Sequence, residues 1–269
     1  ESNTDNFSIS FDGNDDYIDL GNIDIISNGI ENEYTVSFWL NLSATSFPDQ
    51  QMVIFGDEVS QNNGILFQMH EEFGFGAYTA GNTSIETEYT GYIPSIDEWN
   101  YYSIVQNEFG IHFYLNGDYY SHITEGLNSE TDISTFLGKH HVNKRFLDGK
   151  LENLSIYNIA LSQEQIQSQM NCPFSDGTYG ISGYWNFNQG YEYSASDISG
   201  NGNHGTIFGA TYSSNIPEND CLEIEGFIYI GEHEGNHYFL SEGLSYWEES
   251  NVICDENGGH LVTISDNDE

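Results

Sequence analysis

Basic residues are almost missing from this chain: 4 Lys and Arg stand against 43 Asp and Glu in 269 residues, a formal net charge of −39. A surface of that sign repels phosphodiester backbones and anionic lipid headgroups, so neither nucleic acid nor a membrane surface suits it as a partner. Long apolar runs are missing too, which argues against membrane insertion. No secretory leader is visible, and Glu1 in first place points to removal of whatever preceded it. Cysteine is sparse, with only Cys172, Cys221 and Cys254, and the odd count leaves either a free thiol or a partner cysteine elsewhere.

What the chain does contain is apolar and aromatic. Hydrophobic residues make up 38% and aromatics 15%, which separates it from disordered acidic tails. Tyr (19), Phe (17) and Gly (28) are plentiful while Lys and Arg, long helix formers, are rare, a mixture suited to pleated sheets joined by turns. Alternating apolar runs recur at Phe7–Phe11, Tyr34–Leu42, Met52–Phe55, Gly64–Met69, Phe73–Tyr78, Tyr101–Gln106, Ile111–Leu115, Thr135–Leu137 and Leu151–Tyr157. Asp12-Gly13, Asn63-Gly64, Gly81-Asn82, Asn116-Gly117 and Asp148-Gly149 punctuate them. Many short strands with Gly, Asn and Asp turns predict an all-β sandwich or jelly roll. Asn116-Gly117 marks the clearest hairpin, since both residues tolerate the positive φ of a two-residue turn. One helix is predicted over Ser162–Met170, with Ser162 as N-cap and Gln165 at the capping-box position.

From Asn171 the texture changes. Gly183–Phe187 reads as a strand, a polar loop follows over Asp197–Gly205, and Thr206–Tyr212 reads as a further strand. A second domain opens near Phe227.

The first unit resembles the laminin-G-like, concanavalin A-like family of secreted multi-modular proteins. The resemblance rests on Phe11-Asp12-Gly13-Asn14-Asp15-Asp16-Tyr17-Ile18-Asp19-Leu20, on Tyr34–Leu40, on Trp99–Tyr102 with Phe113–Gly117, and on Leu147–Asn158 followed by Ala160-Leu161-Ser162. It implies a concanavalin A-like jelly-roll sandwich, in which Trp39, Trp99 and Trp185 are core. Gly183–Gly190 and Asp197–Gly205 also resemble this family, where they form the opening strands; here they come last. Two arrangements compete: completion of the same sandwich, or a fragment of a second copy. Completion is preferred, because a lone strand pair is marginal in water while open sheet edges need covering. The sandwich is therefore assigned to residues 1–222, with 171–222 completing it. Cys172 and Cys221 bracket that segment and are expected to bridge, stabilising it by roughly 4 kcal/mol in the chain-entropy model.

Residues 223–269 resemble the start of an α+β C-type-lectin-like domain through His237–Ser241, Tyr246–Ser250, Cys254 and Gly258–Ile264. The part that would carry that family's calcium and sugar loops is not in this sequence, so no lectin site is carried onto it. Taken together, the resemblances point to an extracellular or cell-surface adhesion module, as in secreted bacterial multi-modular adhesins.

Two loops are calcium candidates: Asp12, Asp15 and Asp16, and Asp197, Asn201 and Asn203. Ca²⁺ takes six to eight oxygen ligands, which closely spaced Asp and Asn in Gly-rich turns provide, and it would locally neutralise so acidic a surface. The alternative is that these residues only make turns. If 183–212 pairs beside the first strand, the two loops would lie close together. Sugar binding calls for exposed aromatics, and Tyr78, Tyr92, Tyr119, Tyr120 and His140 fall in or beside predicted turns; the alternative is cross-strand packing. All four basic residues, Lys139, Lys144, Arg145 and Lys150, fall in one stretch, read either as a cationic patch or as partners of nearby carboxylates.

No catalytic residue is assigned. Glu218-Asn219-Asp220-Cys221-Leu222-Glu223 has the acid spacing of sandwich-fold glycosidases but lacks their apolar residue between the first two acids. The expected function is non-catalytic binding of a glycan or glycoprotein at a cell surface, with Ca²⁺. The alternatives are a protein-recognition or spacer module of a large surface protein, or an accessory domain of a polysaccharide-degrading enzyme.

Overall fold

A computed structural model describes residues 6–23, 33–43, 51–56, 65–80, 85–123, 134–140, 144–171, 179–190, 193–218, 227–233 and 236–241. In chain order the first strands are β1 (Ser8–Asp12), β2 (Tyr17–Asp19), β3 (Tyr34–Leu42), β4 (Gln51–Gly56), β5 (Ile65–His70) and β6 (Gly74–Ala80). Next come β7 (Ile85–Tyr89), β8 (Trp99–Asn107), β9 (Gly110–Leu115), β10 (Asp118–Ile123), β11 (Phe136–Leu137) and β12 (Asp148–Tyr157). The helix α1 (Gln163–Asn171) precedes β13 (Ile181–Trp185), β14 (Ser194–Ala195), β15 (Gly205–Phe208) and β16 (Thr211–Ser213). A separate hairpin follows, β17 (Phe227–His233) and β18 (Asn236–Ser241).

The strands form two antiparallel sheets facing each other. One runs β10-β9-β8-β3-β12-β1-β16, with β13 also paired to β12; the other runs β14-β15-β2-β11-β4-β5-β6-β7. Period-2 alternation decides which side chains enter the space between them. Val36, Phe38 and Leu40 of β3, Leu151 and Ile156 of β12, Phe67 of β5 and Trp185 of β13 are each at most 1% exposed. Burying one such side chain contributes roughly 1.5–3 kcal/mol relative to leaving it in water.

β3 is buried on both faces because a second, smaller core covers the outside of its sheet. There Tyr101, Val105 and Tyr157 pack under Leu161 and Ile166, the last on α1. The helix begins as its sequence predicts: Ser162 N donates to Gln165 Oε1 (2.8 Å), and Gln165 N donates to Ser162 Oγ (3.3 Å). The Asn116-Gly117 turn between β9 and β10 has φ of 51° and 81°, the left-handed values a two-residue hairpin turn requires.

The last strands of the sandwich enter both sheets. β12 offers one edge to two partners: β1 takes its first half, with Ile9 opposite Leu151, and β13 takes its second, with Trp185 opposite Leu154. Thr206–Tyr212 is not the single strand its alternation suggests. Gly209, at φ 77°, breaks it, so β15 pairs with β2 in one sheet while β16 pairs with β1 in the other. β1 and β2 make the same crossing through Gly13, also at φ 77°. Two corner turns thus lie side by side, and a Cβ at Gly209 would collide with Asp16 Oδ1. Corners built from strands that switch sheets are a recurring way of closing sandwiches.

The chain divides into compact units at Glu1–Asn219 and Asp220–Glu269. In the second, β17 and β18 form an antiparallel hairpin with Phe227 opposite Ser241 and a bulge between Tyr229 and Gly231. Tyr246, Trp247, Cys254 and Gly258–Ile264, which carry most of the C-type-lectin-like resemblance, lie outside the described residues, as do Cys172 and Cys221.

Candidate functional site

The β1–β2 corner concentrates negative charge. Asp12 Oδ1 accepts Asn14 N (2.9 Å), Asn14 Nδ2 donates to Asp12 Oδ2 (3.1 Å), and Asp12 N donates to Asp16 Oδ2 (3.0 Å). These bonds curl the turn so that oxygens of Asp12, Asp15 and Asp16 all lie within 4.8 Å of one another. Asp12 and Asp15 are exposed, while Asp16 is buried beneath them. Burial, reinforced by the charges of Asp12 and Asp15, raises the Asp16 pKa above the ordinary value. Hydrogen bonds from Asn14 hold Asp12 below it. A cation set among these oxygens would offset their mutual repulsion, and hard oxygen donors suit Ca²⁺.

Beside this turn, on the outer face of the second sheet, lies an aromatic platform. Tyr17, which follows Asp16, and Phe208, which precedes Gly209, face each other across the β2–β15 pairing. Their ring centroids are 4.6 Å apart and their planes 12° from parallel. Phe136 of β11 meets Tyr17 edge-on at 6.1 Å. Lys139 Nζ sits 3.6 Å from the Tyr17 ring centroid and 4.2 Å from that of Phe136, a cation–π contact on both. Asp19 lies between Phe136 and Thr206 in register. Phe208 is 42% exposed, so the stack reaches solvent beside Asp19 and Thr206 of the same two strands.

Asp197, Asn201 and Asn203 do not join this site. Asp12 pairs with Asp148 at one end of β12, whereas the Asn201 and Asn203 amides donate to the carbonyl of Ser182, beside Ile156 at the other end. Eight residues of strand separate Asp148 from Ile156, roughly 27 Å. The expectation that the two loops converge is therefore corrected: 181–185 pairs with the far half of β12, and that register carries the loop away. Asp197 is 5% exposed and clasps its own loop, accepting Tyr184 N (3.0 Å), Ser199 N (2.9 Å) and Asn203 N (2.8 Å). Burial raises its pKa, but these bonds, that from Ser199 foremost, outweigh burial and hold it below the usual carboxylate range.

The other sequence-selected residues are dispersed. Tyr92 is half-buried, donates its hydroxyl to Asn100 Oδ1 (3.0 Å) and packs edge-on against Tyr120 at 5.9 Å. Tyr119 turns the opposite way, its hydroxyl 2.8 Å from His122 Nδ1. His140 is 7% exposed, and its backbone pairs with Lys144. Tyr78 lies on β6 opposite Leu66, and its side chain is outside the described residues. The basic residues form no shared open patch, because Lys139 is 5% exposed beneath the aromatic platform. Of the glycosidase-like spacing only Glu218 is described, exposed at the unit's end. A buried carboxyl, Glu152, is pushed up to about 8 by burial, yet at 3% exposure no substrate reaches it.

Sequence reasoning passed over Tyr17, Phe136 and Phe208. A signal was present: Tyr17 and Asp19 flank buried Ile18, and Thr206 and Phe208 flank buried Ile207, the alternation that turns residues outward.

Comparison with known proteins places this geometry. Residues 12–167 match the model of the concanavalin A-like lectin/glucanases superfamily. No curated protein matches the chain. Among solved structures, a Bacteroides ovatus protein for which carbohydrate binding has been suggested aligns with a TM-score of 0.60 at 14% identity. That alignment covers 77% of this chain and 59% of the other, so the chain spans about three-fifths of that protein's length. A heptameric pentraxin from Limulus polyphemus aligns at TM-score 0.47 and 13% identity, over 64% of this chain and 85% of that one. The binding domain of botulinum neurotoxin serotype D aligns at 0.45 and 20%, over 59% and 40%. The alignment with the Bacteroides ovatus protein shows a shared fold. With its two antiparallel sheets and a family match across more than half its length, the chain belongs to the concanavalin A-like lectin/glucanase superfamily.

Proposed function

We propose that this chain is a non-catalytic, extracellular or cell-surface carbohydrate-binding module that holds a glycan or glycoprotein on the Tyr17–Phe208 platform. The observation that carries the reading is the outward-facing aromatic stack bordered by Asp19 and Thr206. Pyranose rings present C–H faces that pack on aromatic rings, and their hydroxyls need carboxylate or hydroxyl partners. Superfamily membership and the shared architecture of the Bacteroides ovatus protein support it. Ca²⁺ held by Asp12, Asp15 and Asp16 would brace the turn that leads into Tyr17 and abuts Gly209, and so set the height of the platform. In the same reading Cys172 bridges Cys221, and residues 223–269 open a C-type-lectin-like domain.

The test is a glycan array probed with the chain and with Phe208→Ala, in roughly millimolar calcium, the range of weak extracellular sites, and again with chelator. Calcium-dependent binding to a related set of sugars, lost in the variant, is expected. Silence of folded protein in both conditions would instead favour a protein-recognition or spacer role.

A further inference from the structure

The β9–β10 hairpin at the edge of the first sheet carries a pair of imidazoles that the platform does not use. Ile111 and Phe113 of β9 and Ile123 of β10 are buried in the main core, so strand alternation turns His112 and His122 onto the outer face. The two are direct cross-strand partners, and their ring centroids are 5.9 Å apart. In a regular strand Tyr119, three residues before His122, would face the other way. The bulge between Tyr119 and Ser121 brings it to the same face, with its hydroxyl 2.8 Å from His122 Nδ1.

One nitrogen of each ring is already engaged. Asn107 Oδ1 lies 3.1 Å from His112 Nε2 and also accepts Phe109 N (2.9 Å). An amide oxygen only accepts, so His112 Nε2 carries the proton and the lone pair of the neutral ring falls on Nδ1. The Tyr119 hydroxyl oxygen is able to accept from His122 Nδ1 in the same way, which leaves the second lone pair on Nε2. Among the described residues, His112 Nδ1 and His122 Nε2 make no hydrogen bond.

Metal-ligating histidines have this arrangement, because an oxygen on the far ring nitrogen fixes both tautomer and ring orientation. An ion about 2.0–2.1 Å from one nitrogen of each ring sets the two centroids roughly 4.5–6.4 Å apart, from a right-angled to a linear arrangement. The observed 5.9 Å falls inside that span. Neutral imidazole suits borderline transition ions, whereas Ca²⁺ takes oxygens. The net charge of −39 draws divalent cations to the surface as a whole.

We propose that His112 Nδ1 and His122 Nε2 chelate one divalent transition ion such as Zn²⁺, with Asn107 and Tyr119 orienting the rings and water filling the remaining positions. This site differs in chemistry from the all-oxygen Asp12–Asp15–Asp16 cluster, and β9 lies four strands from β1 in the sheet. It does not depend on the carbohydrate-binding reading.

Zn²⁺ titration of the full chain, ¹⁵N-labelled at histidine and followed by NMR in millimolar Ca²⁺, tests this. The ring-nitrogen signals of His112 and His122, assigned from His112→Gln and His122→Gln, should move together within the first equivalent and ahead of the other histidines. His122→Gln changes an exposed side chain, and in it the His112 shift at the same Zn²⁺ level should vanish. Asn107→Ala, with both imidazoles kept, should weaken Zn²⁺ binding about tenfold. A His112 shift that persists in His122→Gln would overturn the chelate. So would a first equivalent taken up elsewhere without moving this pair.

Discussion

Tyr17 and Phe208 stack 4.6 Å apart at 12° although they come from opposite ends of the sandwich's sequence, because β15 returns to pair with β2. An aromatic pair of this kind contributes about 0.5–1.5 kcal/mol beyond area burial. Phe208→Ala should therefore cost stability on that scale while abolishing glycan binding. Thermal melting and the array, run on one preparation, separate the two effects.

Calcium should raise the melting temperature by several degrees. A ligand at one hundred times its dissociation constant stabilises the native state by about 2.7 kcal/mol. Asp15→Asn removes one exposed carboxylate from the Asp12–Asp15–Asp16 cluster and should abolish most of that rise. A shift of equal size in the variant would place the ion elsewhere.

Glu152 makes stability depend on pH. Its Oε2 makes no hydrogen bond among the described residues, and burial pushes its pKa up to about 8 from an ordinary 4.5. Between those values the folded chain holds a proton that the unfolded chain has released. Its stabilising contribution is complete below pH 4.5 and is lost as pH rises through 8. Glu152→Gln should melt progressively higher than the parent protein across that window and show no such gain at pH 4. Parallel melting curves from pH 4 to 9 would refute the assignment.

Asp197 works in the opposite sense. Its folded pKa lies below the ordinary value, so its contribution is present near neutrality and disappears as pH falls through that depressed value. Asp197→Ala orphans the amides of Tyr184, Ser199 and Asn203. It should cost about 2–3 kcal/mol in urea unfolding, with or without calcium. A loss seen only in calcium would mark this loop as a metal site.

Much of the local structure was legible in the chain. Tyr34–Leu42 alternates and is a strand, Asn116-Gly117 turns a hairpin, and Ser162 with Gln165 starts a helix, because each depends on neighbours within a few residues. The Asp12–Asp16 cluster was legible for the same reason, since one turn gathers its oxygens. Thr206–Tyr212 misled, because an alternating pattern does not reveal that Gly209 hands the chain from one sheet to the other.

By itself the sequence determined an all-β chain with an acidic surface, its turn chemistry and the helix cap: properties set by composition and by contacts between near neighbours. Tertiary structure alone decided which strands lie side by side. It set Phe208 against Tyr17 and sent the Asp197 loop to the far end of β12 from Asp12. The reason is that strand order and register are fixed by the joint packing of two facing sheets, and a period-2 pattern tells which way a side chain points without telling what it meets.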